Sequence, residues 1–256
     1  MGSLILLFGS IVYLLFFATF LYLIAFVGDL QLIHPSLLNY LIPKSVSSGA
    51  VSPLLPTILT DVSLILLFGL QHSIMARKSF KRWLTHCLPT SLERSIFVLA
   101  TSLVLICLFY FWLPIPLMLW QFSDPVPVIL LWALFGFGWL LVLYSTFVIN
   151  HFDLFGLRQV YFAFKDQAYP SLEFKVVGPY KYSRHPLYLG FLLALWATPS
   201  MSASHFLFSL GFSGYIFIGI HFEEKDLIAD FGEKYRQYTR QVSMILTSPF
   251  KTQDKK

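Results

Sequence analysis

The sequence predicts an all-α integral membrane protein: four spanning helices, a C-terminal helical hairpin and a cytoplasmic amphipathic helix. Three observations predict it. The chain is 57% hydrophobic and only 12% charged, where soluble domains carry roughly a quarter charged residues. Four apolar runs approach the roughly 20 residues that a helix needs to cross a bilayer. The basic residues gather in alternate connections between those runs, the signature of membrane topology. At 256 residues the chain has space for one membrane domain over 1–256, with four helices in 1–149 and a cytosol-facing region in 150–256.

The first run, residues 4–27, has no basic leader and no small-residue cleavage site, so it reads as a retained span. Residues 54–75, 95–113 and 128–149 are the next three. Prolines at Pro53, Pro56, Pro114, Pro116, Pro125 and Pro127 punctuate their ends, where a helix cannot continue. All of the 18 Lys and Arg except Lys44 lie in the stretches 77–94, 158–184 and 225–256. By the positive-inside tendency that side is cytoplasmic, which puts the N-terminus inside and the connections 28–53 and 114–127 outside.

Residues 187–220 form a longer apolar run with basic segments at both ends and a Thr198-Pro199-Ser200-Met201-Ser202 break. Both ends on one side require an even number of crossings, so the run is expected to be a hairpin. Its first arm, about a dozen residues at about 1.5 Å each, is too short to cross alone. Its tip must then be buried against other helices, because lipid satisfies no backbone group. Beyond it, Glu223-Glu224-Lys225-Asp226 changes the composition sharply. Leu227, Phe231, Tyr235, Tyr238 and Val242 follow at spacings of three or four, an amphipathic helix that Gly232 is placed to interrupt.

The net charge of +5 is explained by topology residues and not by a nucleic-acid patch. Cys87 and Cys107 are too few for a disulfide framework or a zinc site, and the sequence indicates no metal and no obligate protein partner.

Polar chemistry concentrates in Gly178-Pro179-Tyr180-Lys181-Tyr182-Ser183-Arg184-His185-Pro186-Leu187-Tyr188-Leu189-Gly190. Pro186 suits a first helical turn, which places Arg184 and His185 at a helix N-terminus on the membrane surface. That position attracts an anion, either a small-molecule carboxylate or a lipid phosphate, and an interfacial anchor is the plainer reading of Arg184 alone. Closing the hairpin brings Glu223 and Glu224 back beside Arg184 and His185. There they either bind a cationic ligand or pair with Arg184.

Gly178-Pro179-Tyr180, Arg184-His185-Pro186, Tyr188 and Gly190, followed by Glu223-Glu224, Leu227, Phe231-Gly232, Tyr235 and Tyr238, resemble the isoprenylcysteine carboxyl methyltransferase superfamily of integral membrane enzymes. The resemblance implies S-adenosylmethionine enclosed at the cytosolic membrane face by Gly178, Tyr180, Arg184, His185, Tyr188, Glu223 and Glu224. The close of the chain departs from that pattern: residues 241–246 read Gln-Val-Ser-Met-Ile-Leu where Val-Pro-x-x-Ile-Pro is usual. Upstream, 71–76 and 150–161 are similar to the nurim-like branch of the superfamily, which includes thiol S-methyltransferases. That branch implies methylation of a small thiol, methanethiol to dimethyl sulfide. The alternatives are a carboxyl or lipid methyltransferase and a non-catalytic nurim-like membrane protein.

Methyl transfer to sulfur needs a thiolate, hence a base or a cationic partner. His72 and His151 lie at the cytoplasmic ends of predicted spans, and Asp153 is close enough in sequence to hold the tautomer of His151. Each histidine also reads as an ordinary interfacial residue. Arg158 is a candidate to steady a thiolate or, more plainly, a topology charge. Asp61, inside the second span, reads equally as a functional group or as a pair with a neighbouring helix.

Overall fold

A computed structural model describes residues 2–30, 42–170 and 174–246; residues 31–41 of the first outer connection and the end of the chain from 247 lie outside the described residues. The helices are α1 (Gly2–Val27), α2 (Leu54–Ala76), α3 (Lys78–Cys87), α4 (Glu93–Phe111), α5 (Pro125–Ile149), α6 (His151–Leu154), α7 (Leu157–Phe164), α8 (Pro186–Trp196), α9 (Ala203–Phe231) and α10 (Glu233–Gln241). Two short strands, β1 (Met118–Gln121) and β2 (Ser200–Ser202), complete the fold. Five of the described helices are long and apolar enough to cross a membrane: α1, α2, α4 with its preceding 3-10 turn, α5 and α9. The all-helical membrane class read from the sequence is therefore borne out.

The four expected spans fall on α1, α2, α4 and α5. The hairpin appears with unequal arms. Pro186 occupies the first turn of α8, and eleven residues give about 16 Å of helix, half of a hydrocarbon core of about 30 Å. The non-helical residues 197–202 carry the chain on to the connection between α4 and α5. There β2 pairs antiparallel with β1, Met118 opposite Ser202 and Gln121 opposite Ser200. Phe122 N donates to Pro199 O at 2.9 Å and Ala203 N to Leu117 O at 2.7 Å. These bonds satisfy a backbone that lipid would leave unpaired.

One expectation is corrected here. The polar Glu-Glu-Lys-Asp stretch does not begin a separate helix after the hairpin; α9 runs through it without a break to Phe231. Glu, Lys, Leu and Ala are strong helix formers, so a change of polarity alone interrupts nothing. The break falls at Gly232, whose φ of 56° is a left-handed conformation that glycine tolerates. The amphipathic element is the short α10, whose Tyr235 and Tyr238 pack with Val242, Phe174, Val176 and the end of α9.

Arms α8 and α5 meet at closest approach through two glycines. A Cβ on Gly190 would stand 2.7 Å from Gly138 O, and one on Gly138 2.7 Å from Gly190 O. The main core lies between these helices and α1, α4 and α9, around Phe26, Leu108, Trp112, Trp139, Phe208 and Ile220.

At the end of the bundle that holds the α1–α2 connection, Asp29, Ser47, Ser202 and Ser204 form a hydrogen-bonded chain. Lys44 Nζ donates to the carbonyls of Tyr110 and Trp112 at the end of α4. Asp61 is fully buried, and its Oδ1 accepts from Leu113 N at 3.0 Å. Asp61 thus ties α2 to the end of α4.

Candidate functional site

The site lies at the opposite end, where the chain enters α8. The 3-10 turn Gly178–Lys181, opened by Gly178 at φ 52°, delivers Ser183, Arg184 and His185 to the N-terminus of that helix. The last described residues cover this entry: Arg184 N donates to Ser243 O at 2.9 Å and His185 N to Met244 O at 3.1 Å. Tyr238 fastens the same turn, its hydroxyl donating to Tyr180 O at 2.5 Å.

The hairpin closes Glu223 and Glu224 onto this turn. Arg184 Nε donates to Glu224 Oε1 at 2.7 Å, and His185 Nε2 donates to the same oxygen at 3.0 Å. Tyr188 donates through its hydroxyl to Glu223 Oε2 at 2.8 Å. Arg184, His185, Tyr188, Glu223 and Glu224 are therefore one cluster, as their spacing suggested. The guanidinium of Arg184 is already occupied, however. Besides Glu224, its Nη1 donates to Thr239 O at 3.1 Å and Val242 O at 2.7 Å. Arg184 clamps the chain end to the hairpin; the expected free anion site at this helix N-terminus is not what its bonds provide.

Tyrosines surround the two carboxylates. Tyr180, Tyr188 and Tyr215 all feel the charge of Glu223, and Tyr235 feels Glu224 and Arg184. Burial raises the hydroxyl pKa of Tyr180, Tyr235 and Tyr238, that of Tyr238 to about 12, so all three remain neutral donors. The hydroxyl of Tyr235, buried beside the carboxylates, has no hydrogen-bond partner among the described residues.

The two histidines are not equivalent. His151 is 5% exposed, stacks on Phe147 at 4.2 Å and has both ring nitrogens engaged. Thr146 Oγ1 donates to Leu143 O, so at 2.8 Å it accepts from His151 Nδ1, and Nε2 accepts from the Tyr13 hydroxyl at 2.8 Å. Burial lowers the pKa of this ring. His151 joins α1 to the α5–α6 corner.

His72 differs. Thr101 Oγ1 donates to Phe97 O at 2.9 Å, so at 3.3 Å it accepts from His72 Nδ1. That leaves the lone pair on Nε2. The ring stacks on Phe68 and lies 4.7 Å from Phe97 and 6.2 Å from Tyr215.

Asp153 does not hold His151, which corrects the expected pair. Its carboxylate accepts a short hydrogen bond from the Tyr169 hydroxyl and lies 3.6 Å from Arg158 Nη1. Both His151 nitrogens are already taken by Tyr13 and Thr146, and Asp153 serves locally at the start of α6, where its backbone N donates to the capping Asn150 side chain. Burial and the bond to Asp153 push the Tyr169 hydroxyl up to about 12. Arg158 is thereby a partner of Asp153, stacked over Phe162 and Tyr169.

A cavity of 590 Å³ opens beside Asp153 and Tyr169, with Lys81, Glu93, Arg94 and Gln159 also in its wall. The sequence singles out Tyr180, Tyr188, Tyr235 and Tyr238 but not Arg94, Tyr169 or Tyr215. Arg94 was counted among topology charges, although a basic residue inside the first turn of an apolar helix was the signal that distinguishes it.

A helix bundle that crosses the membrane and gathers an Arg-His-Tyr-Glu-Glu cluster at one mouth has the architecture of an integral membrane methyltransferase. Comparison with known proteins makes the assignment particular. Methanethiol S-methyltransferase of Mycobacterium tuberculosis is 43% identical, the match covering 94% of this chain and 95% of that protein. Methanethiol S-methyltransferase 2 of Bradyrhizobium diazoefficiens is 45% identical over 98% of this chain and 94% of its own. Nurim of Xenopus laevis is 34% identical over 61% of this chain and 57% of its own. The chain belongs to the methanethiol S-methyltransferase family. No family model and no solved structure matches it.

Proposed function

We propose that this protein transfers a methyl group from S-adenosylmethionine to methanethiol, forming dimethyl sulfide, at the cytosolic face of a membrane. The observation that carries the reading is the joining of Arg184, His185 and Tyr188 to Glu223 and Glu224 across the closed hairpin. The donor set fits the proposed co-substrate. Two carboxylates ringed by tyrosine faces suit a molecule that bears a sulfonium and an ammonium, through charge and cation–π attraction. When bound, the donor supplies an electrophilic methyl group.

In this reading, Glu223, Tyr188 and Tyr180 contact the donor, while Arg184 and His185 hold Glu224 in place and Gly178 sets the turn. His72 acts as base, because its Nε2 carries the lone pair and its Nδ1 is held by Thr101. His151, Asp153 and Arg158 support the site through the α5–α7 corner. A polar, charged cavity suits a small thiol better than a prenyl chain, which would need an apolar channel. The gathering of 17 of the 18 Lys and Arg in the sequence stretches 77–94, 158–184 and 225–256, alternate connections in the topology, supports cytosolic access.

The test is headspace gas chromatography on purified protein in detergent supplied with S-adenosylmethionine and methanethiol. Dimethyl sulfide that disappears in E224A supports the reading; its absence from the unsubstituted protein, with donor bound, refutes it.

A further inference from the structure

One guanidinium in the wall of the 590 Å³ cavity has no carboxylate within ion-pair distance among the described residues, although Glu93 and Asp153 lie near enough to act on its charge. Lys81, in the same wall, pairs with Glu93 at 3.5 Å, and Asp153 is taken by Arg158 and Tyr169. Arg94 has no ion pair among the described residues. Its Nε donates to Leu154 O at 2.5 Å, which fixes the head group, and its Cζ lies 4.9 Å over the Phe97 ring. That leaves donors of a half-buried guanidinium at the wall of a polar cavity, an arrangement that calls for an anion.

The surroundings say which anion. Phe97 neighbours both Arg94 and His72: its ring centroid is 4.9 Å from Arg94 Cζ and 4.7 Å from the His72 ring. The charge of Arg94 is felt at His72 and at Tyr188, which bonds Glu223. Arg94 therefore lines the cavity and shares the Phe97 ring with the base. The carboxylates suit the cationic end of a donor; Arg94, opposite in sign, suits the partner that must become anionic.

We propose that this cavity admits and binds the thiol acceptor and that Arg94 stabilises its thiolate. The inference rests on the methyltransferase reading above. In the step, the acceptor S–H bond breaks and its proton passes to His72 Nε2. The sulfur lone pair forms the new S–C bond as the donor's S–C bond breaks. The bonding pair stays on the departing sulfur, which becomes a neutral thioether, and His72 returns the proton to water.

The experiment compares unsubstituted protein, R94Q and R94K, purified whole in detergent. Donor binding is measured by calorimetry, and product by headspace chromatography from pH 6 to 10, with methanethiol and with the more acidic trifluoroethanethiol. The expected result for R94Q is donor affinity within about twofold and a kcat/KM for methanethiol lowered by about 10²-fold, the scale of losing one charge-stabilising group. The rising pH limb should move up by about one unit or more, and the loss with the acidic thiol should be much smaller. R94K should recover at least about tenfold. A163F, which fills the cavity wall, should raise the KM for thiol without changing donor affinity.

An equal loss with both acceptors and an unmoved pH limb would overturn the inference, since a merely structural arginine behaves that way. So would weakened donor binding in R94Q that vanishes with decarboxylated donor, because Arg94 would then hold the donor's carboxylate. Failure of the methyltransferase reading is separate: it shows as no product from the unsubstituted protein.

Discussion

At the residue scale the hydrogen-bond ledger separates groups that composition cannot. His72 and His151 occupy equivalent places in the sequence, each at the end of an apolar run. Their threonine partners fix both tautomers, because each hydroxyl gives its proton to a backbone carbonyl and must accept from the ring. What remains on Nε2 differs: on His151 it accepts from Tyr13, and on His72 it is left for chemistry. H72A is therefore expected to lower kcat by about 10²–10⁴-fold, the usual worth of a general base, with donor affinity retained in a calorimetric titration. Normal turnover in H72A would remove the base assignment. Glu224 belongs to a different function, since one of its oxygens receives both Arg184 and His185. E224A should lose donor binding by at least about tenfold, the scale of one charge-assisted hydrogen bond, and the same titration reads it.

At the scale of elements, two contacts determine how the helices that carry the site are held. Arms α5 and α8 touch backbone to backbone at Gly138 and Gly190, so any Cβ there forces them apart. G190A should cost about 1–3 kcal/mol through overpacking, read as a lower midpoint of thermal unfolding in detergent; an unchanged midpoint would show that the helices separate freely. The other contact is His151 between α1 and the α5–α6 corner. Its pKa in the folded state is depressed below the ordinary 6.5 by burial. The unfolded chain therefore binds the proton more readily, and the contact's stability is complete above pH 6.5 and lost as pH falls toward the depressed value. Lowering the pH from 7.5 to 5.5 should depress the melting temperature of the unsubstituted protein more than that of H151Q, and equal depressions would count against this linkage.

These contacts also explain what the sequence revealed. The spans were legible because hydropathy and basic residues report directly on lipid and topology. The site cluster was legible because the Arg-His-Pro turn and the Glu pair lie at opposite ends of a run that must fold back. The reason for Gly190 was not, since a helix-to-helix approach needs the partner Gly138, 52 positions earlier. Nor was the true end of α9: the sequence shows where polarity begins, whereas the helix ends only where Gly232 permits a left-handed residue. Arg94 was hidden by its company, one basic residue among five between 77 and 94.

For the whole molecule, the two ends of the bundle divide the work, and their separation depends on an even number of crossings in the region of α8 and α9. The short arm meets that requirement only because β2 reaches β1 and the buried Ser47–Ser202–Ser204 chain, which tie the tip to the connections opposite the site. Those connections hold one basic residue, Lys44, whose ammonium is spent on the carbonyls of Tyr110 and Trp112. Among the described residues the remaining Lys and Arg belong to the connections and helix ends on the site side, so the positive-inside tendency supports the proposed cytoplasmic orientation of the cavity mouth. Two exposed positions test this directly. Cys87, exposed, ends α3, the helix that gives Lys81 to the cavity wall, and Val51 lies on the connection before α2. In intact bacterial cells producing the protein, a membrane-impermeant maleimide should label a cysteine placed at Val51 in a C87S background. It should reach Cys87 of the unsubstituted chain only after the inner membrane is permeabilised. Labelling of Cys87 in intact cells would invert the topology, and methanethiol would then have to be captured from outside the cell while the donor remained within it.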